Sequence, residues 1–150
     1  MTDRDKARKR KPGKRGAGRV EGGCLCGLVR YRVKGKPLSI VNCHCVLCRR
    51  VSGAPFVTWL TLNAKDLTFT KMLPVRFPSS SKADRSFCEQ CGTPITFQYR
   101  ARRKFIDVTV GSLDAPERFV PTMNIYMRSH IRWVPLDKSL AQHDGAPEGD

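Results

Sequence analysis

Long apolar runs are absent from this 150-residue chain. No run approaches the roughly 18 apolar residues that a membrane-spanning helix needs. The amino-terminal segment is basic and has no apolar stretch, so it does not have the pattern of a secretory signal peptide. We therefore expect a soluble, cytoplasmic protein with no membrane partner, and one domain of ordinary size at this length.

Acidic residues are scarce: 13 Asp and Glu stand against 28 Lys and Arg, which gives a formal net charge of +15. The first twenty residues alone hold nine basic and two acidic side chains, a net charge of +7. Since they have almost no large apolar side chain, residues 1–19 are predicted to be a disordered basic tail. Such a tail either aids solubility alone or binds nucleic acid through residues 1–20.

No long stretch keeps the 3.6-residue apolar period of an amphipathic helix. Short segments rich in β-branched and aromatic residues alternate with Gly, Pro, Ser and Asn instead. These patterns predict strands over Leu28–Val33, Phe56–Leu62, Leu67–Thr70, Pro94–Arg100 and Phe105–Leu113. One or two helical turns are predicted after Cys45, ended by Gly53. We expect a mainly β domain over residues 20–140 with little helix and metal-bearing loops, followed by a flexible tail over residues 141–150.

Seven cysteines fall into three short clusters. The first cluster is Cys24 and Cys26, the middle cluster is Cys43, Cys45 and Cys48, and the last cluster is Cys88 and Cys91. In a reducing compartment, clustered cysteines more often bind metal than form disulfides, and an odd number fits poorly with a closed disulfide set. The CxxC pair followed by Gly in "CEQCG" is typical of a zinc knuckle.

Two partitions of these clusters leave one closed site of four sulfurs. In the first, the first and last clusters combine, and the middle cluster remains as a set of three. In the second, Cys45 and Cys48 pair with the last cluster as a zinc ribbon, but the gap before Cys88 exceeds the roughly 15–20 residues of that motif. Spacing thus favours the first partition. His44 is not expected to be a ligand, because neighbours in an extended segment point to opposite faces.

The order of the motifs resembles the glutathione-dependent formaldehyde-activating enzyme family, which includes the centromere protein V type domains. The motifs are "GGCLCGLVRY", "CHCVLCRRVSGAPF", "RSFCEQCGTPI" and "GSLDAP", with a late Trp in "SHIRWVPL". The resemblance covers roughly Val20 to Leu136 and implies several small coiled β-sheets, as in the Mss4-like β-tent fold, with two zinc ions per chain. It implies that Cys24, Cys26, Cys88 and Cys91 hold a structural zinc, and that Cys43, Cys45 and Cys48 hold an open zinc linked to activity.

The activity implied by the resemblance is that of a zinc-dependent carbon–sulfur lyase of the S-(hydroxymethyl)glutathione synthase type. Its substrates are glutathione or another small thiol, with formaldehyde or another aldehyde. Arg49 and Arg50 are candidate substrate contacts, because Arg presents a planar fork of donors to a carboxylate; alternatively, they are solvated or only offset the charge of the cluster. The alternative function is a non-catalytic zinc scaffold whose basic tail binds nucleic acid or a protein partner.

Two positions depart from the family pattern, since Asn124 stands where members often have His and His130 where they often have Lys. Asn cannot act as a general acid or base near neutral pH. If that His has a chemical role, the change bears on activity; if the position only makes a hydrogen bond, Asn serves equally. Trp59 and Trp133 are expected in the core or in the wall of a pocket.

Overall fold

The structure is a computed structural model that describes residues 20–147. The predicted basic tail over residues 1–19 lies outside the described residues. Eleven strands and one α-helix form the described part, so the predicted mainly β class is confirmed. The strands are β1 (Val20–Gly23), β2 (Arg30–Val33), β3 (Ser39–Cys43), β4 (Val57–Asn63), β5 (Leu67–Phe69), β6 (Val75–Pro78), β7 (Ala83–Phe87), β8 (Pro94–Tyr99), β9 (Phe105–Thr109), β10 (Met123–Ile125) and β11 (Ala141–Gln142), and the helix is α1 (Val46–Ser52). Short 3-10 helices cover Ala64–Asp66, Arg100–Arg102, Val110–Ser112, Pro116–Arg118 and Met127–Ser129.

The strands form two sheets. One has three antiparallel strands in the order β1-β2-β5, and the other has eight in the order β11-β10-β3-β4-β9-β8-β7-β6. Strand β10 pairs in parallel with β3 and with β11, whereas the other neighbours are antiparallel. The five predicted strands correspond to β2, β4, β5, β8 and β9. No helix within residues 20–147 is long and apolar enough to cross a bilayer.

The helix predicted after Cys45 is α1. It ends where predicted, because Gly53 adopts the left-handed conformation with φ of 68° and its N–H donates to the Arg49 carbonyl. Glycine takes this conformation without the steric cost that a Cβ would bring.

The main core lies between the two sheets. On the eight-stranded sheet it is formed by Leu60 and Leu62 of β4 and by Val108 of β9, all fully buried. They pack in one cluster with Tyr31 and Val33 of the small sheet. Side chains of a strand alternate between faces. The other face of β4 therefore remains available, and it carries Trp59 in a second hydrophobic cluster with the middle cysteines.

Residues 141–147 were expected to belong to a flexible tail, but the structure places β11 at the edge of the large sheet. The His143 N–H donates to the Asn124 carbonyl at 2.9 Å, and the Tyr126 N–H donates to the Gly145 carbonyl at 3.0 Å. This pairing uses main-chain groups, so the small polar side chains of the segment gave no signal for it.

A buried carboxylate ties β6 and β7 to the turn after β8. Asp84 is 6% exposed, accepts hydrogen bonds from Arg100 at 2.7 and 3.2 Å, and is also bound by Arg76. The hydrogen bonds from Arg100, aided by Arg76, lower the pKa of Asp84 to about 2. Its ionised form is thus favoured in the folded state, and the carboxylate stabilises the fold only while it is charged.

We expect Leu60→Ala to lower the free energy of unfolding by about 2–5 kcal/mol, because it opens a cavity between the sheets. The control is Leu73→Ala, since Leu73 is 71% exposed and a surface truncation changes stability by only about 0.5 kcal/mol. Urea unfolding followed by tryptophan fluorescence measures both. Equal losses in the two variants would contradict the assignment of the core.

We expect Asp84→Asn to lower the urea midpoint at pH 7, because two guanidinium groups lose their anion. A group with a depressed folded-state pKa contributes stability above its ordinary pKa and loses it as the pH falls. The difference in urea midpoint between wild type and Asp84→Asn should therefore be largest at neutral pH. It should decrease as the pH falls from about 4 towards 2. Glu117→Gln, at an exposed position, is the control; a gap that stays constant with pH would contradict this role.

Candidate metal centres and the adjoining cavity

The first and last cysteine clusters meet in space. The sulfur atoms of Cys24, Cys26, Cys88 and Cys91 all lie within 4.8 Å of one another. The Cys24–Cys26 and Cys26–Cys88 sulfur distances are 3.5 and 3.8 Å. Four thiolates about 2.3 Å from a tetrahedral zinc have sulfurs about 3.8 Å apart. The geometry therefore fits a closed four-sulfur metal site, which we call the four-cysteine cluster.

Local backbone turns shape this cluster. Gly92 has a φ of 72°, and its N–H donates to the Cys88 carbonyl at 2.8 Å, which closes the CxxCG turn. The Val29 N–H points at the Cys24 sulfur at 3.2 Å. Hydrogen bonds from the side chain and main chain of Thr93 lower the pKa of Cys91 to about 5. These donors favour thiolates, the form in which cysteine binds metal.

The middle cysteines form a second group, the three-cysteine cluster, at the junction of β3 and α1. The sulfurs of Cys43, Cys45 and Cys48 all lie within 4.8 Å of one another. Cys43 ends β3, Cys45 is the N-cap of α1, and Cys48 lies in its first turn. The Cys45 sulfur accepts the Cys48 N–H at 3.3 Å, so one sulfur serves as both helix cap and cluster member. The strand–cap–helix sequence thus brings three sulfurs together within six residues.

The three sulfurs of this cluster compete for protons. Hydrogen bonds from the thiols of Cys43 and Cys48 lower the pKa of Cys45 to about 2. The pKa of Cys43 is raised, chiefly by its hydrogen bond to Cys45 and by the neighbouring Cys48. One thiolate therefore forms readily, and further ones are opposed by the negative charge already present. A cation between the sulfurs relieves this repulsion.

A cavity of about 990 Å³ adjoins the three-cysteine cluster, whose sulfur-bearing side chains line it. It lies over the face of the large sheet that points away from the main core. The aromatic residues of its wall are Trp59, Phe97, Tyr99 and Tyr126, and the charged ones are Lys82, Arg100, Arg102 and Asp107. None of the residues that line it belongs to the four-cysteine cluster. The two clusters thus differ in access, since only the three-cysteine cluster borders this cavity within the described residues.

Arg49 and Arg50 were candidate substrate contacts, but the structure places both in a different groove, of about 450 Å³. That groove also holds Trp133, whose side chain is 73% exposed and so does not belong to the core. Both arginines follow Cys48 on a helix, where successive side chains are turned around the axis and do not share its face. The basic side chains that line the cavity beside the three-cysteine cluster are Lys82, Arg100 and Arg102.

Arg85 of β7 is a residue that the sequence analysis missed. Its side chain is 5% exposed, and its Nη2 lies 3.6 Å from the Cys48 sulfur. Its guanidinium also packs on the rings of Phe97 and Trp59, at 4.7 and 5.8 Å from their centroids. The indole N–H of Trp59 donates to the same sulfur at 3.4 Å. In the sequence, Arg85 lies in "RSFC", close to Cys88. Because β7 was not predicted as a strand, the face on which this arginine lies was not predicted either.

His44, which was not expected to be a ligand, packs against the ring of Phe56. It is 1% exposed, and its Nε2 lies 3.3 Å from Asn124 Oδ1. Burial lowers the pKa of His44. Asn124 Oδ1 also accepts from Asn42 at 3.1 Å, and the ring of His130 stands 5.3 Å from that of His44. These polar residues form a group behind the cluster, and none of them lines the cavity.

Comparison with known proteins gives matches in sequence and in structure. The model of the family described as glutathione-dependent formaldehyde-activating enzyme matches residues 19–129. A Schizosaccharomyces pombe protein named as an uncharacterized lyase is 30% identical over 79 residues, which are 53% of this chain and 57% of that protein. The match thus spans little more than half the length of this relative.

A crystal structure of a Rhodobacter sphaeroides protein superposes with a TM-score of 0.53 at 27% sequence identity. The match covers 63% of this chain and 87% of that one. The family model alone covers most of the described residues, including both cysteine clusters. The chain therefore belongs to the glutathione-dependent formaldehyde-activating enzyme family.

Proposed function

We propose that this protein is a zinc-dependent carbon–sulfur lyase of the S-(hydroxymethyl)glutathione synthase type, which acts in the cytoplasm. It joins an aldehyde to glutathione or another small thiol, or cleaves the adduct. The observation that carries the proposal is the three-cysteine cluster, whose sulfurs border a large cavity. The family membership and the name of the Schizosaccharomyces pombe relative support the lyase class.

The donor atoms fit zinc in both clusters. Each set consists of cysteine sulfurs, without carboxylate or histidine ligands, and soft thiolates select zinc over magnesium or calcium. We assign one structural zinc to Cys24, Cys26, Cys88 and Cys91 and a second zinc to Cys43, Cys45 and Cys48. When bound by three cysteines, zinc offers a Lewis acid with a free coordination position for a thiol or a carbonyl oxygen.

The cavity suits a peptide-sized thiol better than a small aldehyde alone. Its volume of about 990 Å³ is at the upper end of the roughly 300–1,000 Å³ of ordinary ligand sites. Glutathione carries two carboxylates and one ammonium group. We assign Lys82 and Arg102 to the carboxylates and Asp107 to the ammonium group, since these charged side chains line the cavity, whereas Arg100 is bound to Asp84. The aromatic wall excludes water and packs on the peptide.

The reaction breaks the S–H bond of the thiol, forms one carbon–sulfur bond, opens the carbonyl π bond and places the thiol proton on the former carbonyl oxygen. Tyr126 lines the cavity, and burial raises the pKa of its phenol, which therefore stays protonated at neutral pH. We assign it as the hydrogen-bond donor to that oxygen. The backbone of Tyr126 is left-handed, with a φ of 57°. A non-glycine residue adopts this conformation at some energetic cost, and such residues are often found at functional sites.

We expect Cys48→Ala to abolish catalysed adduct exchange, because the variant removes one of three sulfurs at the cavity. The four-cysteine cluster is untouched, so the fold and about one metal per chain should remain. Exchange NMR between free and hydroxymethylated glutathione at equilibrium measures catalysis, and elemental analysis measures metal. Full turnover in Cys48→Ala would contradict the assignment of the site.

The same two measurements on the wild type decide between the proposal and its alternative. Catalysed exchange supports the lyase. Two bound metals without exchange, for glutathione and for other small thiols, would favour a non-catalytic zinc scaffold. Its basic residues 1–20 would then be tested for nucleic acid or protein partners.

A further inference from the structure

A buried positive charge lies beside the three-cysteine cluster. Arg85 is 5% exposed, although arginine is almost never fully buried unless it is paired. Asp84, its neighbour in sequence, points to the opposite face of β7 and is bound by Arg76 and Arg100. Among residues 20–147, no carboxylate forms an ion pair with Arg85, and its polar contact is the Cys48 sulfur at 3.6 Å. The polar group that faces this guanidinium is therefore a cysteine sulfur, which can carry negative charge.

The remaining contacts of Arg85 do not compensate its burial. The rings of Phe97 and Trp59 offer cation–π attraction, but this is modest against the cost of removing a charge from water. Its Nη1 is buried without a hydrogen-bond partner. Since a buried cation needs a nearby anion, its position is explained if the adjacent cluster carries net negative charge.

The charge of a metal-loaded cluster matches this requirement. Three thiolates contribute −3 and a divalent ion contributes +2, which leaves −1, because metal-binding cysteines are deprotonated. Arg85 brings the total to zero. When a substrate thiolate binds as fourth ligand, the total charge of the site becomes −1. Without Arg85 the total charge would be −2. The guanidinium thus favours the entry of an anionic ligand.

We propose that Arg85 is a positioning residue, whose buried charge balances the three thiolates and sets the affinity of that cluster for metal and for an anionic thiol as fourth ligand. The proposal rests on the proposed function for the identity of the fourth ligand, but not for the effect on metal. Arg85 acts through Cys48, together with the Trp59 indole on the same sulfur. It does not line the cavity and is not assigned a contact with substrate.

The test compares Arg85→Met, Arg85→Lys and the control Arg132→Met, in which an exposed arginine loses the same charge. Each full-length protein is loaded with cobalt(II), whose sulfur-to-metal charge-transfer bands report on the thiolates. The bands of the four-cysteine cluster are subtracted with the Cys48→Ala variant. Chelator competition gives the metal affinity of the three-cysteine cluster, and titration with glutathione and with 2-mercaptoethanol gives the thiol affinity.

In Arg85→Met we expect the bands to move to longer wavelength, because the sulfur electrons lose a stabilising charge. Metal affinity at the three-cysteine cluster should fall about 10- to 100-fold, as is usual when a partner of a metal ligand is removed, and thiol affinity should fall as well. The bands and affinities of Arg85→Lys should lie between those of the wild type and those of Arg85→Met, because Lys keeps the charge but not the planar fork of donors. Arg132→Met should match the wild type.

Unchanged bands and unchanged metal affinity in Arg85→Met would overturn the proposal. If that variant does not fold, Arg85→Gln, which also removes the charge but keeps a polar side chain, decides, and bands and metal affinity identical to those of the wild type overturn the proposal. The outcome is separable from that of the proposed function. If the wild type catalyses no exchange but the bands still shift in Arg85→Met, the lyase function is refuted and the role of Arg85 is retained. If the wild type catalyses exchange but the bands do not shift in Arg85→Met, the lyase function is retained and the role of Arg85 is refuted.

Discussion

The mutual repulsion of closely packed cysteine sulfurs is the constraint on which the structure depends. Seven sulfurs lie in two groups, each within 4.8 Å, and deprotonation of one sulfur opposes deprotonation of the next. A bound cation would relieve this repulsion and would turn each group into a cross-link. The four-cysteine cluster connects the end of β1 with the turn after β7, elements far apart in sequence. The three-cysteine cluster spans only six residues, so it does little to hold the fold and is free to serve chemistry.

The alternation of side chains along β4 places core residues on one face of the strand and cavity residues on the other. In β4, Leu60 and Leu62 point to the core between the sheets, while Trp59 points to the cavity and donates to the Cys48 sulfur. The large sheet thus has one face that packs in the core and one face that borders the cavity. Strands β4 and β7, which carry Trp59 and Arg85, are each paired with a neighbouring strand on either side, and this pairing places both side chains against one sulfur.

Features that depend on local chemistry were predictable from the sequence. The CxxCG spacing indicated the closing turn at Gly92, the glycine after α1 indicated the end of the helix at Gly53, and β-branched runs indicated five strands. Features that depend on pairing across the chain were not predictable. Strand β11 is held by main-chain hydrogen bonds and has no apolar pattern. The basic residues at the cavity come from the turn before β7, which holds Lys82, and from the turn after β8, which holds Arg100 and Arg102. Proximity in sequence had pointed to Arg49 and Arg50 instead.

Asn124 of β10, where the sequence analysis expected a His in related proteins, does not line the cavity. Along β10, Ile125 lines the cavity, so Asn124 points to the opposite face by alternation. There the amide oxygen of Asn124 accepts a hydrogen bond from Asn42 and contacts His44. Asn42 and His44 are both buried and lie at the carboxyl end of β3. A hydrogen-bonding side chain is what this place requires, and Asn provides one. Asn124 therefore belongs to the polar group behind the three-cysteine cluster and not to the cavity in which we place the reaction.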